Sequence, residues 1–326
     1  MRILLVTPAA SGSRVGNRVT ALRMSGLLRG LGHEVKLRTS FDEIGSDLMI
    51  ALHAGKSSKA IQHAAQHNPP IPSALVLTGT DIYREGMPPD PEIERALALA
   101  TRLVILQPNA VKQLPEQYHS KTELLLQSAT PRAAVGAPDP DRFQVCVLAH
   151  LRPVKDPLLT ARAARLLPAT SRIHVRLIGQ ALDEDSRREA EQEARENPRF
   201  EWLGPRSYGE SQNLLANSRL LVLSSLAEGG PAVVTEAFAY GVPVLATRIP
   251  ATEGLMGADH PGLYPVNDEK ALAELLRRAE EDPAFLEELH QRSLQKQAST
   301  RPEREAQDLE RLIQSLTKGR SETSPT

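Results

Sequence analysis

Short apolar runs of strand length recur along this chain, each followed by a longer amphipathic stretch, and few architectures accept that order. Runs without polar alternation suit parallel strands covered on both faces, and the stretches between them suit crossover helices. The first set is ILLVTP from Ile3, DLMIAL at 47–52, SALVLT at 73–78, RLVILQ at 102–107 and TELLLQ at 122–127. The clearest crossover helix covers residues 17–31, with Val19, Leu22, Leu27 and Leu31 near helical spacing and Gly32 as its stop. PRAAVGAPDPDR at 131–142 has neither periodicity and the Pro, Gly and Ala content of a linker. A second set follows: FQVCVLA at 143–149, IHVRLIG at 173–179, FEWLG at 200–204, RLLVLSS at 219–225 and VPVLATR at 242–248. Two charged helical segments after Asn267 precede GRSETSPT, which reads as a disordered tail.

The expected fold is therefore α/β, two doubly wound halves with C-terminal helices. With 326 residues there is room for a core in each. The expected boundaries are a first domain over 1–135, a linker at 136–142, a second domain over 143–300, a helix over 301–318 packing back on the first domain, and a tail at 319–326. Facing halves of this kind carry their ligand loops at strand C-termini, around a shared cleft.

Composition removes several function classes. Lys plus Arg total 39 against 40 for Asp plus Glu, so no basic excess exists to neutralise a nucleic-acid backbone. Cys146 is the single cysteine, which excludes an internal disulfide framework and any multi-cysteine metal cluster, and fits a reducing, cytosolic compartment. MRILLVTPAASGS reads as a first strand and loop rather than a signal peptide, and no apolar stretch nears the roughly 20 residues of a membrane span. No metal is expected, nor any other cofactor.

The most informative segment is SSLAEGGPAVVTEAFAYGVPVLA at 224–246. A strand ends at Ser225, Glu228 and two glycines follow, and a helix opens near Pro231, so backbone N–H groups face an anion or a hydroxyl-rich ligand. Glu236, five positions into that helix, offers a bidentate grip on vicinal hydroxyls. As isolated residues Glu228 would merely suit the helix dipole and Glu236 would be a solvated charge. The recurrence of two carboxylates, two glycines and AYGVPV at one strand-to-helix junction favours a site.

Glu228 and Glu236 within EGGPAVVTEAFAYGVPV resemble the donor-sugar signature of the large retaining glycosyltransferase family of GT-B fold, two Rossmann-like domains, that includes glycogen and sucrose synthase relatives. RLIG at 176–179, FEWLGPRS at 200–207, LLANSRLLVLSS and the DEKALAELL helix extend the likeness over most of the second half. The resemblance implies that Glu228 binds donor-sugar hydroxyls, that Glu236 binds the ribose, and that the amides of Gly229 and Gly230 approach the sugar. Leu203 would lie beside the base, and Val234 also falls within the donor motif.

AHLRPVKDP at 149–157 places Arg152 and Lys155 three apart in a loop at a strand end, where they suit a departing diphosphate. The family's clamp has Arg and Lys five apart, and the residue five before Lys155 is His150. Either Arg152 has taken the arginine's task or His150 shares it; surface cations solvating a loop are the bland reading.

The first half would set the acceptor. Its opening loop carries Gly12, Arg14, Gly16, Asn17 and Arg18, but lacks G-x-G-x-x-G, and only Asp42 and Glu43 stand near a ribose-binding position. LHAGKSSKA has Lys56 and Ser57 but not the first glycine of a nucleotide-triphosphate loop, which leaves an anion site at a helix N-terminus. His53 lies where the family commonly has a cleft histidine; a core histidine capped by backbone is the equal alternative. TGTDIYRE brings Thr80 and Asp81, with Thr78 where relatives often show histidine.

NRVTALR, HAGKSS, LTGTDIYR and HLRPVKDP also resemble a narrower group, the selenosugar synthases of selenoneine biosynthesis, which couple selenophosphate to a UDP-sugar, N-acetylglucosamine or glucose. This implies transfer to selenophosphate with formation of a C–Se bond. Rivals are a transferase with a hydroxyl acceptor, a sugar-nucleotide epimerase, and a non-catalytic or NAD-binding module.

Overall fold

The computed structural model describes residues 1–12, 16–42, 45–79, 81–83, 88, 90–137 and 139–318. The expected tail at 319–326 lies outside them. Two compact units divide the chain: one holds Met1–Gln127, Glu228–Gly230 and the C-terminal segment from Pro302, the other Ser128–Ala227 and Pro231–Arg301.

The first unit runs β1 (Arg2–Val6), α1 (Gly16–Gly30), β2 (Glu34–Arg38), β3 (Leu48–Leu52), α2 (Ala54–Gln66), β4 (Ser73–Val76), α3 (Pro91–Leu99), β5 (Arg102–Ile105) and β6 (Thr122–Leu124). Its strands form one parallel sheet in the order β2-β1-β3-β4-β5-β6. Alternate side chains serve opposite faces, as strand geometry requires. Leu4, Val6, Met49, Ala51 and Leu75 pack with α2 and α3 residues such as Ile61 and Ile93, whereas Ile3, Leu5, Leu48, Ile50 and Leu52 pack with Met24 and Leu28 of α1. Both faces are covered, which explains why the runs read as continuously apolar.

The second unit runs β7 (Phe143–Leu148), α4 (Leu159–Arg165), β8 (Ile173–Ile178), α5 (Glu184–Glu196), β9 (Phe200–Trp202), α6 (Tyr208–Ala216), β10 (Leu220–Leu223), α7 (Ala232–Tyr240), β11 (Val244–Thr247), α8 (Pro250–Met256), β12 (Leu263–Tyr264), α9 (Glu269–Glu281) and α10 (Pro283–Gln297). The strand order β12-β11-β10-β7-β8-β9 is that of a doubly wound dinucleotide-type sheet. The last helix, α11 (Pro302–Thr317), belongs to the first unit, where Leu309, Leu312, Ile313 and Leu316 join the α1 side of its core.

Three sequence expectations are corrected. The units part at Gln127 and Ser128, not at 135: Arg132 N–H donates to the Tyr240 hydroxyl at 3.0 Å and Val135 N–H to Asn213 Oδ1 at 2.7 Å, so this stretch is tied into the second unit. The run at 122–127 yields only a three-residue strand. EVKLR at 34–38 and Leu263–Tyr264 are strands that the apolar runs did not announce.

Candidate active site

In a doubly wound sheet ligands gather where the strand order reverses, outside the carboxyl ends of the two central strands. In the second unit that point lies between β7 and β10. The loop after β7 carries His150, Arg152 and Lys155; the segment after β10 leads into Glu228. The two are bonded together: Ser224 Oγ donates to Lys155 O at 3.2 Å and Asp156 O at 2.7 Å, and Leu226 N–H donates to Val154 O at 2.8 Å. A short 3₁₀ turn over Pro153–Lys155 ends at Asp156 in the left-handed region, φ 35°. Asp is among the few residues that adopt this region readily, and Arg162 of α4 donates to its two carboxylate oxygens at 3.1 and 3.0 Å.

The neighbouring turn after β8 is equally tight. A Cβ on Gly179 would lie 1.7 Å from Ala149 O, so only glycine lets the loops after β7 and β8 approach. Gln180 N–H donates to His150 Nδ1 at 3.1 Å, which leaves the ring proton on Nε2. Trp202 Nε1–H donates to Gly179 O at 2.9 Å, and Leu203 continues the ladder through its N–H to Leu177 O. Glu236 is 8 % exposed on α7, a helix buried from Val234 to Ala239. Val234 is fully buried and its N–H donates to Pro231 O at 3.0 Å.

Glu228, Gly229 and Gly230 pack within the first unit. A Cβ on Gly229 would stand 2.2 Å from the Thr78 carbonyl carbon, and one on Gly230 2.4 Å from Leu106 Cβ. Both glycines are therefore demanded by close approach, a reason separate from any ligand. Tyr83 lies within electrostatic reach of Glu228. Burial pushes its hydroxyl up to about 12; the hydrogen bond from Gln107 Nε2 at 2.5 Å opposes that shift and the charge of Glu228 adds to it.

In the first unit the order reverses between β1 and β3. Gly12, Gly16, Asn17 and Arg18 follow β1, and His53, Lys56 and Ser57 follow β3; Arg14, Glu43 and Thr80 lie outside the described residues. His53 ends β3 with φ 72° and ψ 109°, a strained backbone for histidine, and its Nδ1 accepts from Lys56 N–H at 3.4 Å. Burial lowers its pKa, against the pull of Asp81, whose carboxylate lies 4.0 Å away.

Two acceptor candidates have partners within the chain. Asp81, 2 % exposed, accepts from Ala54 N–H at 2.8 Å, Gly79 N–H at 2.7 Å and Thr78 N–H at 3.0 and 3.2 Å. The anion expected at the start of α2 is thus one of the chain's own. Ser57 Oγ donates back to Leu52 O at 2.7 Å and is committed to the helix. Lys56 stays exposed. Among the described residues no group of three or more His, Cys, Asp or Glu is arranged to hold a metal, and no helix is long and apolar enough to cross a membrane.

The family model of glycosyl transferases group 1 matches residues 132–299, more than half of the chain. The chain belongs to the group 1 glycosyl transferases. A glycosyltransferase 1 domain-containing protein of Xenopus tropicalis is 26 % identical over 299 residues, covering 81 % of this chain and 83 % of that one. Among solved structures, Anabaena HepE in complex with UDP superposes with a TM-score of 0.74 at 17 % identity, over 97 % of this chain and 100 % of that chain. Sucrose-phosphate synthase from Thermosynechococcus elongatus gives 0.74 at 15 % identity, over 97 % and 99 %. These likenesses bear on fold, and the GT-B architecture of two Rossmann-like units is the fold of this glycosyl transferase. Sequence reasoning missed Ser224, Tyr83 and Gln127, whose importance comes from hydrogen bonds between distant segments that no local spacing encodes.

Proposed function

We propose that this glycosyl transferase takes its sugar from a UDP-sugar, glucose or N-acetylglucosamine, and transfers it to selenophosphate. The observation that carries the donor half is the bonding of the Val154–Asp156 backbone to Ser224 and Leu226 at the sheet's reversal point, which holds the loop bearing Arg152 and Lys155 against the segment that continues into Glu228. In this reading Arg152 and Lys155, with His150, stabilise the departing diphosphate; Glu236 holds the ribose, Leu203 borders the base, and Glu228 orients the sugar with the amides of Gly229 and Gly230. HepE, a solved neighbour, is described in complex with UDP-glucose, which agrees with this donor class.

The acceptor half rests on the likeness of the NRVTALR, HAGKSS and HLRPVKDP strings to selenosugar synthases. Selenium attacks the anomeric carbon, the C–O bond to UDP breaks with its electron pair leaving on the diphosphate, and hydrolysis of the P–Se bond releases phosphate. Arg14, Arg18 and Lys56 are the cations that would receive the acceptor, near Gly12, Gly16 and Asn17, and His53 is the candidate group beside it. The proposed reaction uses no metal, so EDTA should leave the rate unchanged.

UDP titration of Glu236→Ala should show affinity reduced about ten- to a hundredfold, the range for a charge-assisted bond. Unaltered UDP affinity removes the ribose assignment. Mass spectrometry of UDP-sugar incubated with selenophosphate, phosphate or a sugar alcohol separates the acceptors: a glycosylated alcohol in place of a selenosugar overturns the selenophosphate reading and leaves the donor reading standing.

A further inference from the structure

The Glu228–Gly230 turn lies outside every helix and strand, so no backbone ladder fixes it. Its last carbonyl has a side-chain partner: Gln127 Nε2 donates to Gly230 O at 2.6 Å. Gln127, 2 % exposed, cannot turn its amide the other way. Its Oε1 accepts from Thr20 Oγ at 3.1 Å and from Arg23 Nη2 at 3.0 Å, and a flipped amide would set N–H against two donors and oxygen against a carbonyl. Arg23 is fixed in turn, since its Nε donates to both oxygens of Glu305 at 3.1 and 2.9 Å, and the Glu305 side chain is wholly buried. Thr20 and Arg23 stand three apart on α1 and Glu305 stands on α11, so both helices aim one amide at one carbonyl.

We infer that Gln127 is a positioning residue for donor-sugar binding: oriented by Thr20 and by the Arg23–Glu305 pair, it holds the Gly230 carbonyl and thereby the turn that presents Glu228. The inference rests on the reading that Glu228 binds the donor sugar. In this role Gln127 acts through the turn and not on uridine or sugar. A purely structural glutamine would affect UDP and UDP-sugar alike, whereas a positioning one affects the sugar part alone.

The test compares the affinities of UDP-glucose and UDP, each by calorimetric titration, in wild type, Gln127→Glu, Gln127→Met and Glu228→Ala. Gln127→Glu keeps acceptors toward Thr20 and Arg23 but turns an oxygen toward the Gly230 carbonyl; Gln127→Met keeps the volume and removes both bonds. Each should lower the UDP-glucose affinity about tenfold relative to UDP, with UDP binding within about twofold of wild type. Adding Gln127→Glu to Glu228→Ala should produce no further loss, because the two act on one contact. Additive losses, equal weakening of both ligands, or failure of both Gln127 variants to fold overturn the positioning role. A shift in Glu228→Ala with none in the Gln127 variants overturns it while preserving the donor assignment, and no shift in any variant removes the donor assignment itself.

Discussion

A single carboxylate shows how position alone misleads and packing corrects. Asp81 follows a strand C-terminus in the loop where an acceptor site is expected, yet three backbone N–H groups from two loops converge on it. It closes the start of α2 and the turn after β4 together. Asn at this position offers one oxygen and an amide that meets a backbone N–H, so at least one buried donor loses its partner. Asp81→Asn should therefore reduce stability by about 2–3 kcal/mol in urea unfolding, the range for an orphaned buried group plus a lost charge-assisted bond. If stability is unchanged and only the acceptor KM rises, Asp81 is a ligand residue after all. Burial lowers the pKa of His53 beside it, against the pull of the nearby carboxylate.

Among elements, the loop over Arg152–Asp156 has the most to lose from small changes. Its cations are exposed or half-buried, and what shapes it is the left-handed Asp156, the Arg162 fork and the Ser224 hydroxyl. Lys155→Ala should lower kcat more than UDP-sugar binding, since charge on the diphosphate grows in the transition state. Steady-state kinetics should show it as the worse of the two single variants, with Arg152→Ala partly covered by His150. A double variant whose loss equals the sum of the singles would mean that the two cations do not share one diphosphate. Much of this level was legible beforehand: nine of the ten apolar runs named at the outset end within two residues of a strand end. EVKLR was not among them, because it lies at a sheet edge, where one-sided burial replaces the continuous apolar run. Leu263–Tyr264 is too short to carry any period. The Glu228 and Glu236 spacing was readable as a motif because both lie in one short run of sequence between β10 and α7. Gln127, Thr20, Arg23 and Glu305 could not be grouped, since they come together only when the first and last helices pack on one sheet face.

At the scale of the whole molecule, the near balance of 39 basic and 40 acidic residues leaves little net charge to drive unfolding, so the acid response falls to individual buried groups. Histidines at 53, 174 and 260 all have pKa values lowered chiefly by burial. His260 is the extreme case, pushed down to about 4, with the charges of Arg292 and Lys296 adding to burial and Asp259 opposing. Its Nδ1 accepts from Gly262 N–H at 3.1 Å and its Nε2 is buried without a partner, so protonation at Nδ1 would destroy the bond and bury a charge. The folded value lies below the ordinary 6.5, so between the two the unfolded chain takes a proton that the native state refuses. Stability from this group is complete above about pH 6.5 and is lost as pH falls toward about 4, to a total of about 3 kcal/mol. Lowered carboxylates such as Asp47 and Glu193 act in a separate window, starting near their ordinary 3.8 and 4.5 and extending below. Urea unfolding at half-unit steps from pH 7.5 to about 4.5 should thus show a decline in wild type that flattens in His260→Asn, whose side-chain oxygen can still accept from Gly262 N–H. Parallel declines in the two proteins would assign the acid sensitivity to the other buried histidines and remove His260 from the account.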